Sequence, residues 1–562
     1  MGRRNGGKLD PIVKKIFLAM LAPTILMNLT TAIGSMADTV IIGHYLDDAS
    51  LSVVTFATPI YMLINTFAAL FAVGGCISMS IDAGKGEKKQ ANASFSIAIE
   101  MLLFIGILLF CVGLFFSGPV ARLLGAGKDV LESVRVYAQI ILLGAPLFVL
   151  NIGVAFFVRN DGRPSLSMAG MLLSIFVDII LNLVFVGALQ LGVAGAAYST
   201  VLGQLVSLLV IGSHFLSSKN TLRFRFTMGK AAFRILKNGA SAALQFVYQF
   251  LTILILNHFL TKLAGTDGVV VYTVVFNLAT VSLSVFEGIS QTIQPMISNY
   301  HGEGSVGSIR HTLRLAVLTV FLICGTVTVL LELFPNVVPL VFGLDDGELI
   351  RRSCDAVRLY ALSMILTTLN VVLGYYLQST EQSILAAILI SLRSFVLFLL
   401  ATIVLGKLFG MNGVWSAYLV AEVLSVLICL VLLRAKQKKL QTNGIRANLL
   451  LMDTSLENSI ETVTFPRKDF SLAEAEEWLK RRSFPSSVHT DAIRYLEERM
   501  KSEAPKKDAC IRLEAIGAWG KLIIRDNLTH AAVKIPFESK AETSPVLGWN
   551  RLCLTTEGAE NA

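Results

Sequence analysis

The chain has 562 residues, of which 54% are hydrophobic and only 15% charged, and its mean hydropathy is +0.67. Soluble domains carry about a quarter charged residues, so this composition belongs to a membrane protein. The net charge of +9 does not call for a nucleic-acid partner, because the basic residues lie mostly in short gaps between apolar runs, where positive-inside topology puts them.

Crossing ~30 Å of hydrocarbon takes about 20 apolar residues. Twelve stretches meet that length: 15–42, 51–79, 92–117, 135–158, 165–187, 191–216, 234–260, 269–298, 311–334, 354–377, 382–406 and 410–434. The basic N-terminus runs into the first of them without a small-residue cleavage site, which predicts a retained helix rather than a signal peptide. Arg3, Arg4, Lys8, Lys14 and Lys15 precede the first span, Lys85, Lys88 and Lys89 follow the second, and Arg159 and Arg163 follow the fourth. A cluster from Lys219 to Lys237 follows the sixth, and Arg434, Lys436, Lys438 and Lys439 end the last. The opposite loops carry Asp47–Asp48 and Asp345–Asp346–Glu348, with Arg351, Arg352 and Lys407 running against the trend. Both termini are therefore expected in the cytoplasm and the chain in the cytoplasmic (inner) membrane. The seven cysteines (76, 111, 324, 354, 429, 510 and 553) form no CxxC pair, so neither a metal site nor a disulfide framework is inferred.

A shift of 218 residues brings turn signals into register. Gly84-Lys85-Gly86-Glu87 falls on Gly302-Glu303-Gly304-Ser305, Gly192-Val193-Ala194-Gly195 on Gly410-Met411-Asn412-Gly413, and Asn160-Asp161-Gly162 on Gln378-Ser379-Thr380. One offset across three loops predicts an internal duplication. Six spans per repeat give both halves the same orientation, with a substrate path between them, as in alternating access rather than a fixed pore.

Ionisable groups in hydrocarbon are costly. Asp38 stands near the end of the first span, where burial would disfavour its charged form and favour uptake of H⁺ or Na⁺; an interfacial aspartate reaching the outer surface near His44 and Asp47 is the competing reading. Asp178 and Asn182, four apart in the fifth span, share a helical face, either as a proton or cation site or as an interhelical hydrogen-bond clamp. At the 218 offset these three fall on Leu256, Val396 and Leu400, which assigns the acidic site to the first half. The second half offers Gln245, Gln249, Asn257, Glu287, Gln291, Asn370, Arg393 and Glu422. Of these, Gln245, Gln249, Glu287, Gln291 and Asn370 are the candidates for the substrate path, and Glu422 is open to simple pairing with Arg393. Pro23 and Pro295 each remove a helix hydrogen bond and are candidate hinges. Phe56, Tyr61, Phe67 and Phe71 are either platforms for planar cations or lipid-facing filler.

These segments resemble the multidrug and toxic compound extrusion (MATE) family over roughly residues 10–435. The resemblance rests on Pro23 with Ala37-Asp38-Thr39-Val40-Ile41-Ile42-Gly43, Gly75 with Gly84-Lys85-Gly86-Glu87, and Arg159-Asn160-Asp161-Gly162-Arg163. It continues through Gly192 to Thr200, Gly288-Ile289-Ser290-Gln291, Gln294-Pro295 and Tyr300-His301-Gly302. It implies an all-α polytopic protein of two six-helix lobes and cation-driven export of amphipathic, often cationic, organic compounds. It carries the first-helix acid onto Asp38 and the small polar residue of the sixth helix onto Thr200. The family's fifth helix has Asn and then Asp four residues later; here Asp178 precedes Asn182, which leaves the choice and number of ions open. The seventh helix lacks a clear acid.

Beyond residue 441 the pattern changes. Glu461–Pro466, Ala509–Ala515, Lys521–Asp526 and Arg551–Thr555 read as strands. Leu472–Arg482 and Val488–Lys501 read as amphipathic helices, with Ser471 and His489 or Thr490 near their starts. The order resembles the anti-sigma-factor kinase branch of the GHKL ATPase fold, with Glu497-Glu498 in the acidic helix and Ile524-Arg525-Asp526-Asn527 like its Asp-Asn-Gly segment. Ser502 replaces the Mg²⁺-binding Asn and Leu528 the Gly, so the resemblance implies a degenerate regulatory or docking module. The expected organisation is thus 1–220 and 221–440 as two lobes and 441–562 as a small cytoplasmic α/β domain. The expected activity is H⁺- or Na⁺-coupled antiport by a monomer, without a cofactor and without enzyme chemistry. The expected partners are organic cations or drugs, the lipid bilayer and a cytoplasmic regulator of the last domain. Two other readings are a flippase for a lipid-linked precursor, disfavoured by the few basic residues within the spans, and a membrane-anchored regulator acting through the C-terminal domain.

Overall fold

A computed structural model describes residues 10–46, 48–127, 129–225, 231–341, 347–453, 460–466, 470–482, 484–501, 510–516, 521–526, 540–546 and 549–555. Arg3, Arg4, Lys8, Asp47, Asp345, Asp346, Ser502, Asn527 and Leu528, named above, lie outside the described residues, and the side chain of Asn257 is likewise not described.

The helices follow the apolar runs. α1 (Pro11–Tyr45) begins at Asp10, whose carboxylate accepts from the Ile12 and Val13 amides while Pro11 fills the first turn, an arrangement that satisfies donors the helix itself leaves open. α2 (Asp48–Lys85), α3 (Lys88–Leu123), α4 (Leu131–Leu143), α5 (Ala145–Asn160), α6 (Pro164–Asn182) and α7 (Gly192–Gly212) complete the first half. α8 (Ala231–Glu303), α9 (Val306–Leu333), α10 (Val337–Val341), α11 (Gly347–Ser379), α12 (Ser383–Ser391) and α13 (Leu397–Thr442) form the second.

Ten helical stretches of the described residues are long and apolar enough to span a membrane, or eleven when α4 and α5 count as one bent span. Three expectations change. The spans expected at 234–260 and 269–298 are two membrane-capable stretches, Ala231–Leu256 and Val271–Glu303, of the one helix α8. The span at 135–158 is a pair of helices bent by 46°, because Pro146 in the first turn of α5 has no amide hydrogen with which to continue α4. The separate spans expected at 382–406 and 410–434 lie in one 60-residue run, Ser383–Thr442, broken within α13 at Gly410 (φ 61°, ψ −143°). Only a glycine takes that backbone conformation freely. At ~1.5 Å per residue such a run is long enough for two crossings.

The offset of 218 reappears in the backbone. Gly86 and Gly304, which end α2 and α8, have φ of 89° and 79°, and Gly192 and Gly410 have 59° and 61°. At the third turn the register slips: Gly162 has φ 82°, but its counterpart in the second half is Glu381 (φ 58°) rather than Thr380. The same offset also marks where α2 meets α8. A Cβ added to Gly84 would overlap the Asn299 carbonyl, one added to Gly302 would overlap the Ile81 carbonyl, and each would sit 3.1 Å from the other glycine's Cα. Ile81 and Asn299 are themselves 218 apart, so the contact is reciprocal, as across a two-fold axis.

One large apolar core runs through α2–α5 and α7 and takes in Ile42 of α1 and Ile235 of α8. A second runs through α8, α9 and α11–α13 and takes in Ile12, Val13, Ile16, Phe17 and Met20 at the start of α1. After α13 the chain forms a five-stranded antiparallel sheet of β1 (Ile460–Pro466), β2 (Cys510–Ile516), β3 (Lys521–Asp526), β4 (Lys540–Val546) and β5 (Trp549–Thr555), in the order β1-β2-β3-β5-β4. α14 (Leu472–Lys480) and α15 (Ser486–Lys501) cover one face over Leu479, Leu496, Leu513, Ile524 and Leu552. Ser471 is the N-cap residue of α14, and α15 starts at Ser486, earlier than expected. β4 was not expected: Pro545 interrupts its pattern, which an edge strand tolerates.

Candidate functional site

α6 is inside-out. Its buried residues are Ser167, Gly170, Ser174, Asp178 and Asn182, a polar stripe at helical spacing, while Leu172, Leu173, Phe176 and Ile180 are exposed. Such a helix belongs in lipid with its polar face turned to the bundle. α7 can approach because Gly203 lies against Ser174 and the Asp178 side chain. Directly after Asn182 the helix widens into a π-turn, Leu183–Ala188, a local device frequent at functional sites.

The stripe faces the end of α1. Asn182 Nδ2 donates to Asp38 Oδ1 at 2.9 Å, and Asp38 and Asp178 lie within electrostatic reach of each other. The hydroxyls of Ser199 and Thr200 lie within hydrogen-bonding reach of the Asp178 carboxylate and also of the Ala196 carbonyl, at 2.7 and 3.0 Å. Asp178 Oδ1 and Asn182 Oδ1 are buried with no hydrogen-bond partner. On the opposite wall the Tyr61 and Tyr137 hydroxyls bond to each other at 3.1 Å, within reach of both carboxyls. The site thus gathers two carboxyl groups, an amide and four hydroxyls, with one carboxylate oxygen and one amide oxygen unpartnered. Two carboxyl groups so placed favour a shared proton or a hard cation, because two buried negative charges repel.

In the second half Gln245 donates to Glu287 at 2.5 Å. Arg393, in the π-turn Leu392–Val396, pairs with Glu422 at 2.8 Å, and Asn370 donates to the Glu422 carboxylate at 2.5 Å. Gln245, Gln249, Arg393 and Glu422 line a partly open cavity walled by Tyr272, Phe276, Tyr360, Phe398 and Tyr418. Gln291 lies elsewhere, in the seam between the halves: it accepts from Arg159 at 2.7 Å and donates to Asn28 at 3.2 Å. Arg159, expected in a loop, is fully buried in α5. The seam continues through Asn238 to Ser78 at 3.2 Å and through Arg234, which meets Asp82 at 2.6 Å and Glu381 at 2.7 Å. Helices α1 and α8 continue unbroken through Pro23 and Pro295. The sequence reading missed Ser199, Tyr137 and the seam role of Arg159; the small-residue run of α7 and the two tyrosines carry no signal of their partners.

The C-terminal domain lies on the face where α1 begins and α2 and α8 end, through Arg512 to Asp10 (2.5 Å) and Arg551 to Glu303 (3.0 Å). Within it, Asp526 accepts from Arg499 (2.5 Å), Tyr495 (3.1 Å) and Asn550 (2.7 Å), so its carboxylate is filled by the domain's own donors.

The MatE family model matches residues 23–184 and 240–405. The multidrug export protein MepA of Staphylococcus saprophyticus is 24% identical over 434 residues, covering 76% of this chain and 94% of that protein. MepA of Staphylococcus haemolyticus is 25% identical over 440 residues, covering 76% and 95%. Among solved structures, a multidrug resistance MATE family transporter of the MOP superfamily in an outward-facing conformation superposes with a TM-score of 0.72 at 21% identity. That match covers 76% of this chain and 97% of the solved one. The relatives are matched almost end to end, while about a quarter of this chain extends past the match. With its family model spanning more than half of the sequence, the chain belongs to the MatE family.

Proposed function

We propose that this protein is a cation-coupled antiporter that exports amphipathic organic compounds or drugs across the cytoplasmic membrane by alternating access. The observation that carries the reading is the buried cluster of Asp38, Asp178 and Asn182, with Thr200 beside it, where Asp178 Oδ1 and Asn182 Oδ1 lack partners. Binding H⁺ or Na⁺ there neutralises a charge that the bundle interior disfavours, and so changes the relative stability of the packed states. The relatives' names, multidrug export proteins, support the substrate class. The aromatic cavity lined by Gln245, Gln249, Arg393 and Glu422, with Glu287 and Asn370 bonded to its lining, suits a planar, amphipathic substrate. Gln291 belongs on the path as part of the seam that must open.

The proposed organisation is two six-helix lobes, 1–220 and 221–440, with the break at Gly410 supplying the twelfth span. The domain 441–562 and both termini lie in the cytoplasm. That domain is a degenerate GHKL-like docking module; the filled Asp526 carboxylate supports a role without nucleotide. Pro23 and Pro295 are the bending points, since each frees the carbonyl one turn before it, Ala19 and Gln291. The test is flux of a fluorescent organic cation in sealed vesicles under separately imposed pH and Na⁺ gradients. Gradient-driven flux should be abolished in Asp38→Asn; unchanged flux in that variant would remove Asp38 from coupling.

A further inference from the structure

The outer face of the C-terminal sheet is charged where a solvated or apolar face would be ordinary. Residues alternate along each strand: Leu513, Ile524 and Leu552 point into the domain's core, and Arg512, Arg525 and Arg551 point away from it. The strand register places Arg512 opposite Arg525 and Arg525 opposite Arg551, a row of three like charges across neighbouring strands. Such a row is destabilising by itself, and all three side chains are at most 4% exposed. Their counter-charges come largely from the membrane part. Arg512 pairs with Asp10 at 2.5 Å and donates to Ser308 at 3.1 Å. Arg525 pairs with Glu303 and lies 5.0 Å from the centre of the Tyr300 ring. Glu514, beside Arg512 in the sheet at 3.0 Å, accepts from Ser305. Burial alone would lower the pKa of Arg525, but Glu303, Tyr300 and Glu514 together raise it above its ordinary value.

Arg551 touches both halves of the transporter. It donates to the Ala83 and Gly84 carbonyls at the end of α2, at 2.7 and 3.2 Å, and to Glu303 at the end of α8, at 3.0 Å. These are the ends that meet at the reciprocal Gly84–Gly302 contact. Separating them strips the guanidinium of one set of partners, either the α2 carbonyls or the Glu303 carboxylate.

We propose that the arginine row Arg512–Arg525–Arg551 makes the C-terminal domain an intramolecular clamp that holds the ends of α2 and α8 together, so that opening at this face requires its release. The clamp rests on the alternating-access reading, because it acts on one of the two states. The partner surface is this chain's own, built from Asp10, Ala83, Gly84, Glu303, Ser305 and Ser308.

The experiment uses the full-length protein in lipid nanodiscs, with spin labels on non-natural residues introduced at Gln90 and Arg310. These sites follow α2 and begin α9, so their separation reports the two halves at this face. Arg551→Ala and Arg525→Ala should each raise the ratio of long to short separations roughly fivefold or more, while Lys480→Ala, on α14, should leave it at the wild-type value. A chain ended after Asp453 should show the same rise, which decides the matter if either arginine variant unfolds the domain instead of undocking it. Short separations persisting in the ended chain, or in folded arginine variants, overturn the clamp. Gradient-driven flux of the wild type is measured in parallel. Its absence refutes the exporter reading, while the label distances still decide the clamp.

Discussion

Gly84→Ala and Gly302→Ala test whether α2 and α8 part during transport. In the closed arrangement the new methyl at Gly84 would stand 3.0 Å from the Asn299 carbonyl carbon and closer still to its oxygen, and at Gly302 it would meet Ile81 in the same way. The obstacle is backbone on both sides, so relief requires the two helices to move apart. Overpacking of this kind costs about 1–3 kcal/mol. Alanine also gains about 1 kcal/mol of helix propensity over glycine, but that gain is present whether the face is open or closed and cancels from the ratio of the two. The ratio of open to closed should therefore rise roughly 5- to 150-fold, and by similar amounts for the two variants because the contact is reciprocal. Gly307→Ala, which meets nothing within 4 Å, is the control. Label separations between Gln90 and Arg310 measure the ratio. If both variants match Gly307→Ala in separation and differ only in thermal stability, α2 and α8 are one rigid unit and the reasoning fails.

Asn182→Ala removes the amide that donates to Asp38 Oδ1; hydrogen bonds to charged groups contribute about 1.5–3 kcal/mol, so the ion concentration giving half-maximal flux should shift by about one to two orders of magnitude. Arg393→Met leaves Glu422 buried without its cation and should cost about 3–5 kcal/mol of stability, whereas Arg393→Met with Glu422→Leu should be close to neutral, a contrast read by thermal unfolding in detergent. Arg499→Ala deprives the buried Asp526 carboxylate of its guanidinium and should cost a similar amount, about 3–5 kcal/mol, confined to the C-terminal domain. Limited proteolysis should then cut within residues 460–555 and spare the helices.

Much of the membrane part was legible because its signals are local. A span needs only a run of apolar residues, and Gly86, Gly192, Gly304 and Gly410 were visible as turns at one spacing before their positive φ values were known. At Ser383–Thr442 the two expected spans join in one helical run, because a single glycine, Gly410, breaks the helix there in place of a polar loop. That Asp178 and Asn182 share one face of α6 followed from helical spacing, and the pairing of Arg393 with Glu422 from their shared apolar setting. Other features join distant segments. Arg159 meets Gln291 across 132 residues, and next to Arg163 it has the appearance of a loop cation. Arg512, Arg525 and Arg551 alternate with apolar residues as any half-solvated strand does, and only the register reveals them as one row facing Asp10 and Glu303.

The two halves share turns but differ in their buried acids. In the second half the acids beside the cavity have partners: Glu422 holds Arg393 and Asn370, and Glu287 holds Gln245. Removing or adding a proton there breaks an existing bond. In the first half Asp178 Oδ1 and Asn182 Oδ1 are buried without a donor, one turn apart on α6 and next to Asp38, which accepts from Asn182. Under the proposed function a proton or metal cation gives those oxygens a partner and competes with the Asn182–Asp38 bond, so the first half takes the driving ion and the aromatic cavity of the second takes the organic substrate.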